Sequence, residues 1–194
     1  MENDSHFQWT EARYEHRGAL QKFVCAEPPK AKYEAQRGMV HRAPWQIEVQ
    51  GHLRGLVTPL TDSVVLLAMD NDVVAAACHY GLDDDHDQFI IFALAPSVDY
   101  ANQGLGAELL ARVLKDIQER RQNDERDCGV FTRTWPKNVE GARMFANANF
   151  ENLGEIETAG LFTWMYDAST EDASLVEPLS PVEVVPRPHQ SIRS

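Results

Sequence analysis

The sequence predicts an α/β domain: a mixed, mostly antiparallel sheet of about six or seven strands, one parallel pair in the middle, and helices on both faces. Three observations predict it. Two apolar runs, Val64 to Met69 and Val73 to Cys78, flank Asp70-Asn71-Asp72 and read as a β-hairpin. A strand (Phe89 to Ala95), a glycine-bearing turn (Gln103-Gly104-Leu105-Gly106), a helix (Leu109 to Ile117) and a second strand (Cys128 to Arg133) form a crossover unit. Such a crossover is right-handed and leaves its two strands parallel. Two further strands, Phe150 to Ile156 and Leu161 to Tyr166, close the pattern through Thr158-Ala159-Gly160.

The elements follow in order. Glu11 to Cys25 reads as a first helix stopped by Pro28-Pro29, and a second helix starts near Pro44, a residue suited to a first helical turn. That helix places Trp45, Val49, Leu53 and Leu56 on one face, and Gly51 and Gly55 weaken it. The acidic run Leu82-Asp83-Asp84-Asp85-His86-Asp87 reads as a solvated loop, since it lacks the glycine and ligand spacing of a calcium loop. Leu109, Leu110, Val113, Leu114 and Ile117 recur at helical spacing, and the polar stretch Glu119 to Asp127 ends that helix. Asn138 is placed to cap a shorter helix from Val139 to Ala148. Residues 1–167 are expected to form one domain. Residues 168–194, with Pro178, Pro181, Pro186 and Pro188 among acidic and small residues, are expected to be a disordered tail.

Composition narrows the function. The 194 residues carry a net charge of −12, which disfavours broad nucleic-acid binding and favours cationic or amine partners. No run reaches the roughly 18 apolar residues of a membrane helix. The start, Met1-Glu2-Asn3-Asp4-Ser5-His6, lacks the basic and apolar segments of a secretory signal, so a cytoplasmic location is expected. Cys25, Cys78 and Cys128 are too few and scattered for a disulfide framework and read as packed thiols, as in a reducing compartment.

The glycine turn carries the chemistry. Glycines between a strand and a helix let backbone N–H groups face an anion at the positive end of the helix. Asn102, Gln103, Gly104, Leu105, Gly106 and Ala107 are the candidate phosphate-binding residues, each charge-assisted bond contributing about 1.5–3 kcal/mol. The alternative use of such a turn is tight strand-to-helix packing.

Two segments together resemble the GNAT superfamily of acyl-CoA-dependent N-acyltransferases. Leu94-Ala95-Pro96-Ser97-Val98-Asp99-Tyr100-Ala101-Asn102-Gln103-Gly104-Leu105-Gly106 is similar to that family's strand end and Arg/Gln-x-x-Gly-x-Gly/Ala turn. Asn138 to Phe150 is similar to its second signature, an Asn-led helix ending in a Gly-Phe-like pair. The resemblance covers roughly Val64 to Tyr166. It implies acetyl-CoA as cosubstrate, bound by its pantetheine between diverging strands, with Leu94, Ala95, Pro96, Ser97 and Val98 on one side and Thr132 to Trp135 on the other. It also implies that Asn138 and Phe145 lie against the cofactor, and that the activity is acetyl transfer to a primary amine of a small molecule or peptide by direct attack. Four positions depart from the pattern: Ala101 replaces Arg or Gln, Pro96 lacks an N–H, Phe145 stands where many members have a tyrosine acid, and Gly141 replaces an alanine.

The missing acid is tolerable, because a thiol with pKa near 8.5 leaves as thiolate at pH 7 at a cost of about 2 kcal/mol. Water, Tyr100, Ser97, Thr132 or Thr134 could assist. A lysine-like amine, by contrast, is neutral only once in several thousand molecules at pH 7, so a base is expected. The strand Phe89 to Ala95 holds no carboxylate. His79 and Tyr100 are therefore the candidate catalytic residues, with Tyr80, His86 and Asp87 nearby. Trp135 reads either as lining the acceptor pocket or as packing on the helices, while Trp45 and Trp164 read as core. No metal site is expected, and a homodimer stays open. Two alternatives remain: a non-catalytic CoA-binding or protein-interaction module of the same fold, and a toxin-type acetyltransferase of aminoacyl-tRNA, which the acidic charge disfavours.

Overall fold

In a computed structural model the chain is described over residues 6–156 and 160–167. Seven strands form one sheet in the order β1-β4-β5-β6-β7-β9-β8: β1 (Gln8–Glu11), β4 (Ser63–Asp70), β5 (Val73–Asp83), β6 (Gln88–Pro96), β7 (Val130–Thr134), β8 (Glu151–Ile156) and β9 (Leu161–Tyr166). β2 (Lys32–Glu34) and β3 (Gly38–Val40) make a separate small hairpin. Every pairing in the sheet is antiparallel except β6 with β7. The mixed sheet with a parallel pair at its middle is the expected architecture.

Alternation along the strands sends side chains to two cores. On one face, α3 (Leu105–Asn123) buries Leu105, Leu109, Leu110, Val113 and Ile117, and α4 (Val139–Asn147) adds Phe145 beside Phe150 and Trp164. On the other, α1 (Arg17–Lys22) and α2 (Pro44–Gly55) bring Leu20 and Leu53 against Val65, Leu67, Val74, Ala77 and Ala93. Each such fully buried aliphatic side chain contributes about 1.5–3 kcal/mol.

Several expectations are corrected. The helix over Glu11 to Cys25 shrinks to six residues, because Gln8–Glu11 instead pairs with β4 as an edge strand. β5 runs on through Leu82 and Asp83, so only the rest of the acidic run forms the loop. Arg126 clamps that loop, reaching Asp84 at 3.1 Å and Asp87 at 2.8 Å. α3 extends to Asn123, well beyond Ile117. Trp45 is half-buried and belongs to neither core, whereas Trp164 is buried. All three cysteines are buried thiols, and burial pushes Cys25 up to about 12. The expected tail and the Thr158-Ala159 part of the last connection lie outside the described residues. Among the described residues no helix is long and apolar enough to cross a membrane.

Candidate active site

β6 and β7 start together and then part. Their registered pairs are Phe89 with Val130, Ile90 with Phe131 and Ile91 with Thr132, and the ladder stops there although both strands continue. Beyond it, β6 stays paired with β5 up to Pro96, and β7 stays paired with β9 up to Thr134. Two local features accompany the parting. The β5–β6 register shifts between His79, opposite Ala93, and Tyr80, opposite Ile91, which leaves Phe92 as the extra residue of a bulge. The Thr132 hydroxyl also donates to the Ile91 carbonyl at 3.0 Å, at the last pair of the ladder.

The direction of the free backbone groups follows from strand alternation. Ser97 N–H donates to Ala75 O on the β5 side at 2.7 Å. By alternation, the Leu94 amide groups and the Pro96 carbonyl face the opposite side, where β7 has turned away. Ser97 and Val98 are otherwise occupied. Val98 N–H donates to Val24 O at 2.8 Å, and the Ser97 and Val98 carbonyls accept from Tyr100 and Ala101. Of the five strand-end residues expected to border a cofactor, Leu94 and Pro96 thus present free main-chain groups to the gap. Ala95 packs toward the α1–α2 core.

The strand end leads into the helix start. Gly104 is the N-cap of α3, with φ of 78°, a left-handed conformation that glycine adopts without penalty, and Asn102 shares that region at 61°. The first N–H groups returned to the chain are those of Ala107 and Glu108, both to Gly104 O. Among the described residues, no protein acceptor takes the N–H groups of Asn102, Gln103, Gly104, Leu105 or Gly106. Asn102, Gln103, Gly104 and Ala107 are exposed, while Leu105 is anchored in the core. A Cβ on Gly106 would stand 3.5 Å from Met144 Sδ and 3.6 Å from Pro96 Cδ, so this glycine brings the end of β6, the start of α3 and α4 together.

Asn138 caps α4, its Oδ1 accepting from Gly141 N at 3.1 Å. Phe145 is buried on the α3–α4 face, edge-on to Phe150 at 5.2 Å and tilted to Trp164 at 6.4 Å. Thr134 accepts from the Trp164 indole at 2.9 Å. Tyr100 donates its hydroxyl to Asp70 Oδ2 at 2.7 Å, at the end of β4, and that bond raises its pKa. This hydroxyl is held two strands away from the parted pair.

His79 lies under α2. Its Nδ1 is 2.8 Å from His52 Nε2, its Nε2 is 2.9 Å from Ser63 Oγ, and its ring lies 4.7 Å from that of Phe92. Burial, and then the neighbouring His52, hold its pKa down at about 4. One turn earlier on α2, Glu48 Oε2 accepts from the Trp135 indole at 2.9 Å, just past β7. α2 therefore reaches from the β5–β6 bulge to the end of β7, across the opening. His52 and Glu48 carry no motif. Only their four-residue spacing on a helix hinted that they share a face.

A sheet with a parted parallel pair, whose inner strand feeds a glycine-started helix, is the fold of the GNAT N-acetyltransferases. No family model and no curated protein matches the chain. Solved structures do match. The PaiA N-acetyltransferase of Thermoplasma acidophilum in complex with coenzyme A superposes with a TM-score of 0.61 at 11% identity, covering 83% of this chain and 98% of that one. An acyl-CoA N-acyltransferase from Pseudomonas aeruginosa gives 0.54 at 15% identity over 82% and 98%. Arabidopsis thaliana NAA60 in complex with a bisubstrate analogue gives 0.51 at 11% identity over 82% and 97%. At these identities the likeness is one of fold.

Proposed function

We propose that this chain is an acyl-CoA-dependent N-acyltransferase that moves an acetyl group from acetyl-CoA to a primary amine by direct attack in a ternary complex, in the cytoplasm. The observation that carries the reading is the run of unpartnered backbone groups from Leu94 and Pro96 to the N–H groups of Asn102–Gly106. A pantetheine arm carries amides of its own and would pair with the strand side as a short added strand. A pyrophosphate would accept from the helix start, where the dipole adds partial positive charge. Structural neighbours in complex with coenzyme A and with a bisubstrate analogue support the same ligand.

The thioester carbonyl would lie where β6 and β7 separate, and a backbone N–H there would stabilise the oxyanion. The thiolate leaves without a phenol at Phe145. Tyr100 could serve as proton donor only by giving up its bond to Asp70. Asn138 already uses its Oδ1 on its helix cap, so its Nδ2 is the group it would offer a cofactor.

Phe145, sealed among Phe150 and Trp164, favours a second reading: a non-catalytic CoA-binding or interaction module. Calorimetry with acetyl-CoA and a CoA-release assay over small amines, peptides with free α-amines and lysine peptides separate the two. Binding with turnover supports the transferase, and binding without turnover supports the module. No heat with acetyl-CoA or longer acyl analogues refutes both.

A further inference from the structure

Resting on the transferase reading, we propose that His52 is the base for the acceptor amine, and that His79, bonded between His52 and Ser63, is the residue that positions it. The argument begins with the three-member chain Ser63 Oγ, His79 and His52, linked at 2.9 Å and 2.8 Å. Both ring nitrogens of His79 are occupied, and the residue is buried, so it has no atom to offer a substrate. His52 differs. It is exposed, its Nε2 is held by His79, and among the described residues its Nδ1 has no protein partner.

The chain of bonds can set the tautomer of His52. With Ser63 Oγ accepting from His79 Nε2–H, His79 Nδ1 is an acceptor and fixes the proton of His52 on Nε2. The lone pair of His52 Nδ1 then faces outward. His79 lies tilted against Phe92, the bulged residue next to the last pair of the β6–β7 ladder, and Glu48, one turn before His52, accepts from Trp135 beyond β7. The free nitrogen thus belongs to the stretch of α2 that crosses the opening, on the face opposite α3.

The charged groups around His52 suit transient protonation. On its own helix, Glu48 stands at i−4, the favourable order for a carboxylate and a cation. Arg54 is the opposing charge on that helix, and His79 faces His52 from β5 while neutral. His52 also sits in the last turn of α2, where the helix dipole favours a positive charge. Partial desolvation where it packs on His79 lowers its pKa from the usual value, the direction that favours a neutral ring able to accept a proton.

The step balances. The ammonium acceptor gives one proton to His52 Nδ1, and the freed nitrogen pair forms a C–N bond to the thioester carbonyl carbon as the C=O pair moves onto oxygen. Collapse re-forms C=O and breaks C–S, with that pair leaving on sulfur. The second N–H proton neutralises the thiolate, directly or through water, and His52 returns its proton to solvent.

The test uses the full chain. Long-range 1H–15N spectra of the imidazoles at neutral pH should show His52 protonated on Nε2, whatever acceptor is present. Transfer is then assayed with spermidine, Nα-acetyl-lysine and a serine-led peptide as probes, with acetyl-CoA affinity measured by calorimetry for each variant. His52→Gln should bind acetyl-CoA as the wild type does but lose about 100-fold in kcat/KM. It should also lose the acid limb of the pH profile and recover in added imidazole. His79→Phe should show the same loss, and His79→Gln, which can accept from His52 and donate to Ser63, should retain the limb. A His52 protonated on Nδ1, or a His52→Gln enzyme with wild-type rate and pH profile, overturns the proposal and leaves the transferase reading standing. A wild-type protein that binds acetyl-CoA but turns over none of the probes overturns both.

Discussion

Gly141→Ala tests the local geometry at the start of α4 with a number that naive reasoning gets wrong. Helix propensity alone assigns the substitution a gain of about 0.8–1.0 kcal/mol, since glycine costs backbone entropy that alanine does not. The site forbids that gain. An added Cβ would stand 2.5 Å from Asn138 Nδ2 and 2.9 Å from its Cγ, so the Asn138 side chain must swing out and release Gly141 N–H. Losing an Asn cap costs about 1 kcal/mol. The two terms cancel, and the expected net change is within about 0.5 kcal/mol of zero. In an Asn138→Ala background the cap is already gone, the methyl meets no amide, and the same substitution should stabilise by its full propensity term. Urea denaturation of the four proteins of the cycle gives a coupling of about 1 kcal/mol if this is right. Additive effects, with a gain near 1 kcal/mol in both backgrounds, would show that Asn138 does not fold over Gly141.

Three further outcomes follow from the site. His79 has a folded pKa of about 4 against 6.5 for the free side chain, so the unfolded chain binds its proton first. Stability from this group is fully present above 6.5 and is lost as pH falls toward 4, on the order of 3 kcal/mol in all. His79→Gln should flatten that slope in urea midpoints compared at neutral and mildly acid pH, and an unchanged slope would count against it. Gly104→Ala meets no atom within 4 Å but must hold a φ of 78°. It should cost about 1–2 kcal/mol by denaturation and weaken acetyl-CoA in calorimetry; a variant as stable as the wild type contradicts the left-handed N-cap. Thr132→Val removes the hydroxyl's bond to the Ile91 carbonyl and leaves the last ladder pair in place, so it should cost about 0.5–1.5 kcal/mol by denaturation. A neutral result would mean that the hydroxyl adds nothing to that pair.

The sheet core and the glycine turn after β6 were legible because their signals are local. A short apolar run marked each central strand, and the glycines marked the turn into α3, which starts at Leu105 rather than at Leu109. Asn138 read correctly as a cap from its place before an apolar period. The edges were not legible. Gln8–Glu11 has too few apolar positions to alternate, and it becomes a strand only because β4 offers it a partner from Leu66 to Met69. The β2–β3 hairpin pairs Tyr33 with Met39, both exposed, so no buried face imposes a period on its sequence. The pairing of His52 with His79 spans 27 residues and depends on how α2 crosses the sheet, which no spacing encodes.

The departures from the family pattern also gain a physical sense in three dimensions. Pro96 cannot donate to a cofactor, yet it cannot pair with β7 either, so the end of β6 is kept out of the ladder by its own chemistry. The bulge at Phe92 acts in the same sense four residues earlier. A sheet interior that exposes unpaired amides is unfavourable unless something polar covers them. Here the uncovered groups continue directly into the unpaired N–H groups at the start of α3, a line that runs from amide acceptors and donors to an anion site. A ligand with amides at one end and a diphosphate at the other satisfies both parts at once, whereas a lone phosphate or a peptide satisfies only one. That continuity, rather than either glycine or strand alone, is what makes a CoA thioester the ligand that best fits this chain.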